Sequence, residues 1–367
     1  MKRYFVTLIS IFFLISIGCK EVPTGEGTDF FVNPTADFIQ YQGRLGEEDG
    51  AKVLYWSGSS IKIQFKGEKM SAVLRDEHND NYYNVLLDGE LVDILRPDSV
   101  KKSYVLVDDL EDKSHVLELL KRTEWNRGKT WFYGFEPETD TEFEQPFLKK
   151  RRMEFYGNSI TAAYAVEDSS GEDNPDSTFT NFYHSYAAIT ARHFQANYNA
   201  IVKSGIGITV SWEPLIMPEI WDRLDPTDPM SRWDFRSIPN PDVVVVNLLQ
   251  NDSWLTVMED YPEYKRRFAK NKPTIEFVTA RYQDFIRNIR GKYPAAHIIC
   301  MLGNMDITKE GSVWPEYVQK VVDGLEDPKI YTLFVPYENI KTHPLIKEQQ
   351  TMADALIQKI TEKVGWK

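Results

Sequence analysis

The stretch "MEFYGNSITAAYAVED", residues 153–168, decides the fold of the second half of the chain. Met153 to Tyr156 read as an apolar strand, Gly157-Asn158-Ser159 as a corner, and the residues after it as the start of a small-residue segment. A strand that stops at such a corner presents one hydroxyl at the end of a sheet. Ser159 is then either an N-cap for the following helix or the seat of a nucleophile. Further apolar runs follow: "ANYNAIV" (196–202), "PDVVVVNLL" (241–249), "AHIICML" (296–302) and "IYTLFVP" (330–336). Val243 to Val246 suit a strand covered on both faces. Helical patterns alternate with these runs at 181–194, 275–292, 315–327 and 345–364. Buried strands alternating with helices predict a three-layer α/β domain with a parallel sheet, over residues 149–367.

Residues 33–138 read differently. "KVLYWSG", "SIKIQFKG", "MSAVLRD", "YYNVLLDG" and "SYVLVDD" are short apolar or alternating runs broken by turn residues such as Asp88-Gly89. Many short strands without a helix predict an all-β sandwich of jelly-roll type. Residues 139–148 are expected to link the two domains, which is the number that 367 residues suggest.

The first nineteen residues read as a targeting signal: Lys2 and Arg3, an apolar run to Ile17, then "SIGC". This resembles a bacterial lipoprotein signal with Cys19 as the lipidated residue, followed by a polar tether over 20–32. The expectation is an exported lipoprotein in the periplasm or on the outer-membrane surface, touching membrane only through that anchor. With Cys19 so used, Cys300 is the one remaining cysteine, a small apolar residue in a strand, and no disulfide framework is expected. The formal net charge of -12 argues against nucleic acid, whose phosphates need a basic surface. "HND" (78–80) and "DDLED" (108–112) lack metal-ligand spacing, so no metal or cofactor is expected.

In a parallel sheet the reactive groups sit beyond the carboxyl ends of the strands. Ser159 follows the first strand. "KSGIGIT", with Gly205 and Gly207, follows the second. Gln250-Asn251-Asp252 follows the valine strand, and "YENIKTHP", with His343, follows the last. Taken singly, Ser159 is a cap, Gly205 a turn glycine, Asn251 a turn residue and His343 the start of a helix. Taken together they supply a hydroxyl, free amide donors, a carboxamide and an imidazole, the parts of an acyl-transfer site.

"GNSI", "SGIG", "QND" and "THP" resemble, in that order, the sequence blocks of SGNH (GDSL-type) hydrolases. With the upstream β domain and "RWDF" before the valine strand, the chain is similar to carbohydrate esterase family 2, which removes acetyl groups from plant polysaccharides such as xylan and mannan. The resemblance implies Ser159 as nucleophile and His343 as base. It implies an oxyanion hole from the Ser159 and Gly205 N–H groups and the Asn251 side chain. Acetylated plant polysaccharide or oligosaccharide is the implied partner. Trp254, Trp233 and Trp212 are candidate sugar-stacking residues. Two departures stand out. The acid that SGNH enzymes carry three residues before the histidine is replaced by Ile340, which points to a Ser-His dyad steadied by a backbone carbonyl; Glu338 and Asp306 are the candidate substitutes. The glycine expected before Asn251 is also missing. Two other readings are a catalytically inactive carbohydrate-binding lipoprotein and a general short-chain esterase or lipase on the same fold.

Overall fold

The computed structural model describes residues 30–145, 147–338 and 340–367; the signal and Cys19 lie outside them. Eleven strands build the first part: β1 (Ile39–Gln42), β2 (Leu45–Glu48), β3 (Ala51–Leu54), β4 (Ser60–Lys66), β5 (Met70–Asp76), β6 (Tyr83–Leu87), β7 (Glu90–Leu95), β8 (Lys102–Val107), β9 (Ser114–Lys121), β10 (Thr130–Pro137) and β11 (Glu142–Glu144). They form two antiparallel sheets. One runs β1-β4-β9-β6-β7, with β11 also on β4, and the other runs β2-β3-β10-β5-β8. Alternation drives the arrangement. In β4, Ile61, Ile63 and Phe65 point inward and are fully buried, while Lys62, Gln64 and Lys66 lie between them and are partly exposed. These side chains meet Leu74, Phe132 and Phe135 of the facing sheet in one core. The expected linker is partly a strand: Phe143 of β11 pairs with Phe65 of β4, which extends the sandwich past residue 138.

The second part holds β12 (Arg151–Gly157), α1 (Ser159–Ala162), α2 (Tyr186–His193), β13 (Ala196–Val202), α3 (Met217–Ile220), β14 (Val243–Asn247), α4 (Gln250–Leu255), α5 (Pro262–Phe268), α6 (Ile275–Lys292), β15 (His297–Leu302), α7 (Trp314–Asp323), β16 (Ile330–Phe334) and α8 (Ile346–Val364). The five strands are parallel in the order β13-β12-β14-β15-β16. All of β14 is buried because one apolar cluster covers each face of the sheet. α6 fits the expected helix residue for residue, capped by the Thr274 hydroxyl, which accepts from Phe277 N–H at 3.2 Å. The pattern over 181–194 gives a shorter helix. The Ser185 hydroxyl caps α2 at Ala188 N–H, 3.0 Å away, so His184 falls in a separate turn before it.

The chain leaves β12 for β13 on one side and then crosses back to β14 on the other. That reversal opens a crevice between the carboxyl ends of β12 and β14. Ser159 follows one of these ends and Asn251 the other.

The two parts share a core. Trp56 and Trp125 of the sandwich join the cluster that holds Ile201, Trp221 and Val244. Trp56 Nε1 donates to Leu224 O at 2.9 Å. Gly58 (φ +70°) lies so close to the second part that a Cβ would stand 2.5 Å from Phe182. Buried beneath this seam, Arg44 pairs with Glu154 at 3.1 Å, and both side chains are 1% exposed. Arg44 also donates to the Trp221 and Arg223 carbonyls at 2.7 and 3.1 Å. Glu154 accepts from Tyr156, from Tyr293 at 2.8 Å and from Asn199 at 2.9 Å. Each buried charge therefore has several partners, as burial demands.

Candidate active site

β12 ends at Gly157, and the corner that follows is held from both sides. A Cβ on Gly157 would stand 2.1 Å from Thr161 Oγ1, so no side chain fits there. The Asn158 carboxamide accepts from Ile160 N–H at 3.0 Å and caps α1. Asn158 is therefore the cap, and Ser159 is free to project its hydroxyl. Ser159 Oγ lies 2.8 Å from Nε2 of His343.

Behind the imidazole stands a residue that the sequence did not single out. Asp173 Oδ2 is 2.9 Å from His343 Nδ1, and Asp173 Oδ1 accepts from the His343 backbone N–H at 2.8 Å. This overturns the expectation of a dyad. Asp173 lies in the loop after α1, 170 residues upstream of His343, and takes the Nδ1 side of the ring where a backbone carbonyl was expected. Asp306 is committed elsewhere: it accepts from Trp254 Nε1 at 2.9 and 3.0 Å and from Gln250 Nε2 at 2.7 Å. Burial pushes the Asp173 carboxyl up, but the hydrogen bonds and charge of His343 outweigh it and hold its pKa below the usual value. The ring of Tyr164 meets the imidazole edge-on, with centroids 5.0 Å apart. Burial, and then the charges of Asp173 and Glu124, push the Tyr164 hydroxyl up.

The glycine loop after β13 forms the other wall. Gly205 adopts φ +76°, where glycine is favoured, and a Cβ there would sit 3.2 Å from that of Trp212. Neither the Gly205 nor the Ser159 backbone N–H has a hydrogen-bond acceptor among the described residues. Asn251 enters from the first turn of α4, after Leu249 at φ +77°. Its amide donates to Ile206 O at 2.8 Å, and its Oδ1 accepts from Trp212 Nε1 at 3.0 Å. One Asn251 N–H is thus spent on fixing the glycine loop, and the second remains for a substrate oxygen.

Asp252, beside it, was missed by the sequence reading and is fully buried. Its carboxylate accepts from Ile208 N–H and Thr209 N–H, both at 2.8 Å, and from the Thr209 hydroxyl at 2.7 Å. Burial raises its pKa in spite of these donors. Gly207 has no room for a side chain, since a Cβ would stand 2.1 Å from Val210 O and 2.6 Å from Asp252 Oδ2. The "ND" pair is thus a clamp: both residues grip the loop that carries Gly205. The signal for this was "GIG" followed by an acid in the next strand-end block, which only the fold brings together.

The aromatic candidates divide. Trp212, 37% exposed, packs edge-on against Tyr261 at this edge of the sheet. Trp254 is tied to Asp306 on the same edge, and Gln250, in place of the expected glycine, braces the same carboxylate. Trp233 does not belong here. It lines a cavity with Arg152, Met153 and Asn197, at the amino ends of β12 and β13, and stacks on the Arg44 guanidinium at 5.5 Å. It precedes β14 rather than following a strand, which places it at the edge opposite Ser159.

Residues 41–146 match the family Carbohydrate esterase 2 N-terminal. The structure of a family two carbohydrate esterase from Clostridium thermocellum, in complex with cellohexaose, is 31% identical and superposes with a TM-score of 0.79, covering 90% of this chain and 100% of that one. The chain belongs to carbohydrate esterase family 2. It is also 35% identical over 341 residues to Cellulase/esterase CelE of Acetivibrio thermocellus, covering 89% of this chain but only 40% of that longer protein. An Acetylxylan esterase / glucomannan deacetylase of Cellvibrio japonicus is 21% identical over the full length of both chains. Carbohydrate esterase family 2 membership makes the protein a carboxylic ester hydrolase, and its fold is shared with a putative GDSL-like lipase from Bacteroides ovatus, 15% identical with a TM-score of 0.54.

Proposed function

We propose that this chain removes acetyl groups from acetylated plant polysaccharide or its oligosaccharides, with Ser159, His343 and Asp173 as the catalytic residues. The observation that carries the reading is the unbroken relay Ser159 Oγ, His343, Asp173, with contacts of 2.8 and 2.9 Å at the carboxyl edge of the sheet. The imidazole takes the Ser159 proton as Oγ attacks the acetyl carbonyl. The negative charge that develops on the carbonyl oxygen is met by the Ser159 and Gly205 N–H groups and the Asn251 amide. The protonated ring, stabilised by Asp173, gives its proton to the sugar oxygen as the ester C–O bond breaks, and the sugar leaves as the free hydroxyl. Water then repeats the sequence on the acetyl-enzyme and releases acetate. Acetylxylan and acetylated glucomannan are the polymers proposed, in line with what the Cellvibrio relative is named for. Trp212 and Trp254 stand ready at the rim to take a sugar ring.

A silent carbohydrate binder would fit the β domain and the aromatics equally well, but the missing acid that also favoured it is answered by Asp173 beside His343. A general short-chain esterase has the same relay and is separated from the first reading by preference for polymer over simple acyl esters. Export as a lipoprotein, with Cys19 carrying the lipid, is part of the proposal and rests on Lys2, Arg3, the apolar run and "SIGC"; among the described residues no helix is long and apolar enough to cross a membrane. The test is acetate release from acetylated xylan and glucomannan, wild type beside Ser159→Ala. Release by wild type that disappears in the variant supports the proposal. Polymer binding without release by the wild type overturns it.

A further inference from the structure

The loop that carries Asp173 is held largely by the other domain. Residues 163–185 contain turns but no α-helix or strand, and the sandwich grips them at several points. Arg127, just past β9, donates to Pro175 O at 2.9 Å and to Asp80 Oδ2 at 2.9 Å. Asp80 in turn accepts from the Ser177 hydroxyl at 2.5 Å. Arg122 is 1% exposed and donates to Thr178 O at 2.8 Å; it also pairs with Glu167. Asn84 of β6 donates to Asn181 at 3.0 Å. On the far side of the crevice, the Glu124 carboxylate accepts from both the backbone N–H and the hydroxyl of Ser204, the residue before Gly205. One short segment, 122–127, thus reaches both walls of the site. Its arginines hold the acid loop, and its glutamate holds the oxyanion loop.

We propose that this segment of the sandwich is part of the catalytic apparatus, with Arg127 a positioning residue for Asp173 and Glu124 a positioning residue for Gly205. The inference rests on the esterase reading above and deepens it, since it gives the upstream domain a role in the chemistry. Asp173 is partly exposed, and its own loop has a left-handed bend at the aspartate (φ +52°) and no α-helix to stiffen it. Without Arg127 the carboxylate loses the brace two residues away. Misplacing a catalytic group by about an ångström costs on the order of a hundredfold in rate.

The test is a double-mutant cycle on Arg127→Ala and Asp173→Asn in the full chain, read as kcat and KM for acetate release. It is accompanied by the low-field proton resonance of the His343 Nδ1–H bond, which needs no turnover. Arg127→Ala is expected to lower kcat by roughly tenfold to a hundredfold, leave KM near wild type and weaken the resonance. In the Asp173→Asn background the same change is expected to cost less than about threefold, because its target is already gone. Arg127→Lys, which keeps one donor, is expected to recover part of the loss and guards against a variant that simply fails to fold. Glu124→Gln is expected to lower kcat while leaving the His343 resonance in place, since it acts on the opposite wall. An Arg127→Ala loss of the same size in both backgrounds, or none in either, overturns the proposal. If the wild type releases no acetate but the resonance is lost on Arg127→Ala, the positioning stands and the esterase reading fails.

Discussion

Replacing Asp173 by asparagine preserves shape and removes one charge. The carboxylate lies about 3 Å from the imidazole that becomes positive as Ser159 attacks. At that distance a unit-charge pair is worth about 6 kcal/mol at an effective dielectric of 20 and about 1.4 kcal/mol in water. Asp173 is 30% exposed and His343 is 19% exposed, which puts the pair between these limits. The middle of the range, about 3 kcal/mol, is about a hundredfold in rate. A second effect adds to it. Both Asp173 oxygens accept from His343, one from the backbone and one from the ring, and asparagine offers a single oxygen. Turning its NH₂ toward the ring would leave the proton on Nε2, where it cannot receive the one from Ser159. The expected outcome is a fall in kcat of at least about a hundredfold with KM little changed, because Asp173 assists only when charge develops. Initial rates on an acetylated oligosaccharide measure this, with Glu172→Gln, an exposed acid one residue away, as the control. Rates within about threefold of wild type would refute the relay and return the site to a dyad.

Two further predictions concern the seam and the β domain. Arg44→Met strands the Glu154 carboxylate in the core, for an expected loss of about 3–5 kcal/mol in urea unfolding, whereas Arg44→Met with Glu154→Gln should lose clearly less; equal losses would show that the charge is not what matters. Lys121 is fully buried, donates to the Tyr55 and Gly128 carbonyls at 2.8 and 2.9 Å, and has its pKa pushed down by burial to about 7. The unfolded chain therefore binds more protons than the native one above that pH, so stability should climb as pH rises from about 7 toward the ordinary lysine range; a climb of unchanged steepness in Lys121→Met would disprove this.

Much of the site was legible because βα alternation tells which residues come after a strand. Ser159, Gly205, Asn251 and His343 all follow strands, and all four gather at one edge. Trp233 was a candidate only through "RWDF"; it precedes β14, and a residue before a strand belongs to the opposite edge. Asp173 was hidden for another reason. It lies in "EDSSGEDNPDS", among four other acids, where composition says only that the loop is polar. The usual place for the acid is local to the histidine, and Ile340 there looked like a loss. The available signal was length: an unusually long stretch without α-helix or strand, soon after Ser159, is more often functional than idle. β11 escaped notice because three residues, "EFE", are too few to show a period. The roles of Asp252 and of residues 122–127 depend on partners far away in sequence, and no spacing rule reports those.

His343 sits 184 residues after Ser159, and α8 follows it in the chain. Gln349 of α8 donates to Ile160 O at 2.8 Å and accepts from Tyr186 N–H at 2.8 Å, bracing the corner that holds Ser159. A chain that is still emerging from the ribosome has Ser159 long before it has His343. A copy cut short before His343 would have Ser159 with no imidazole beside it.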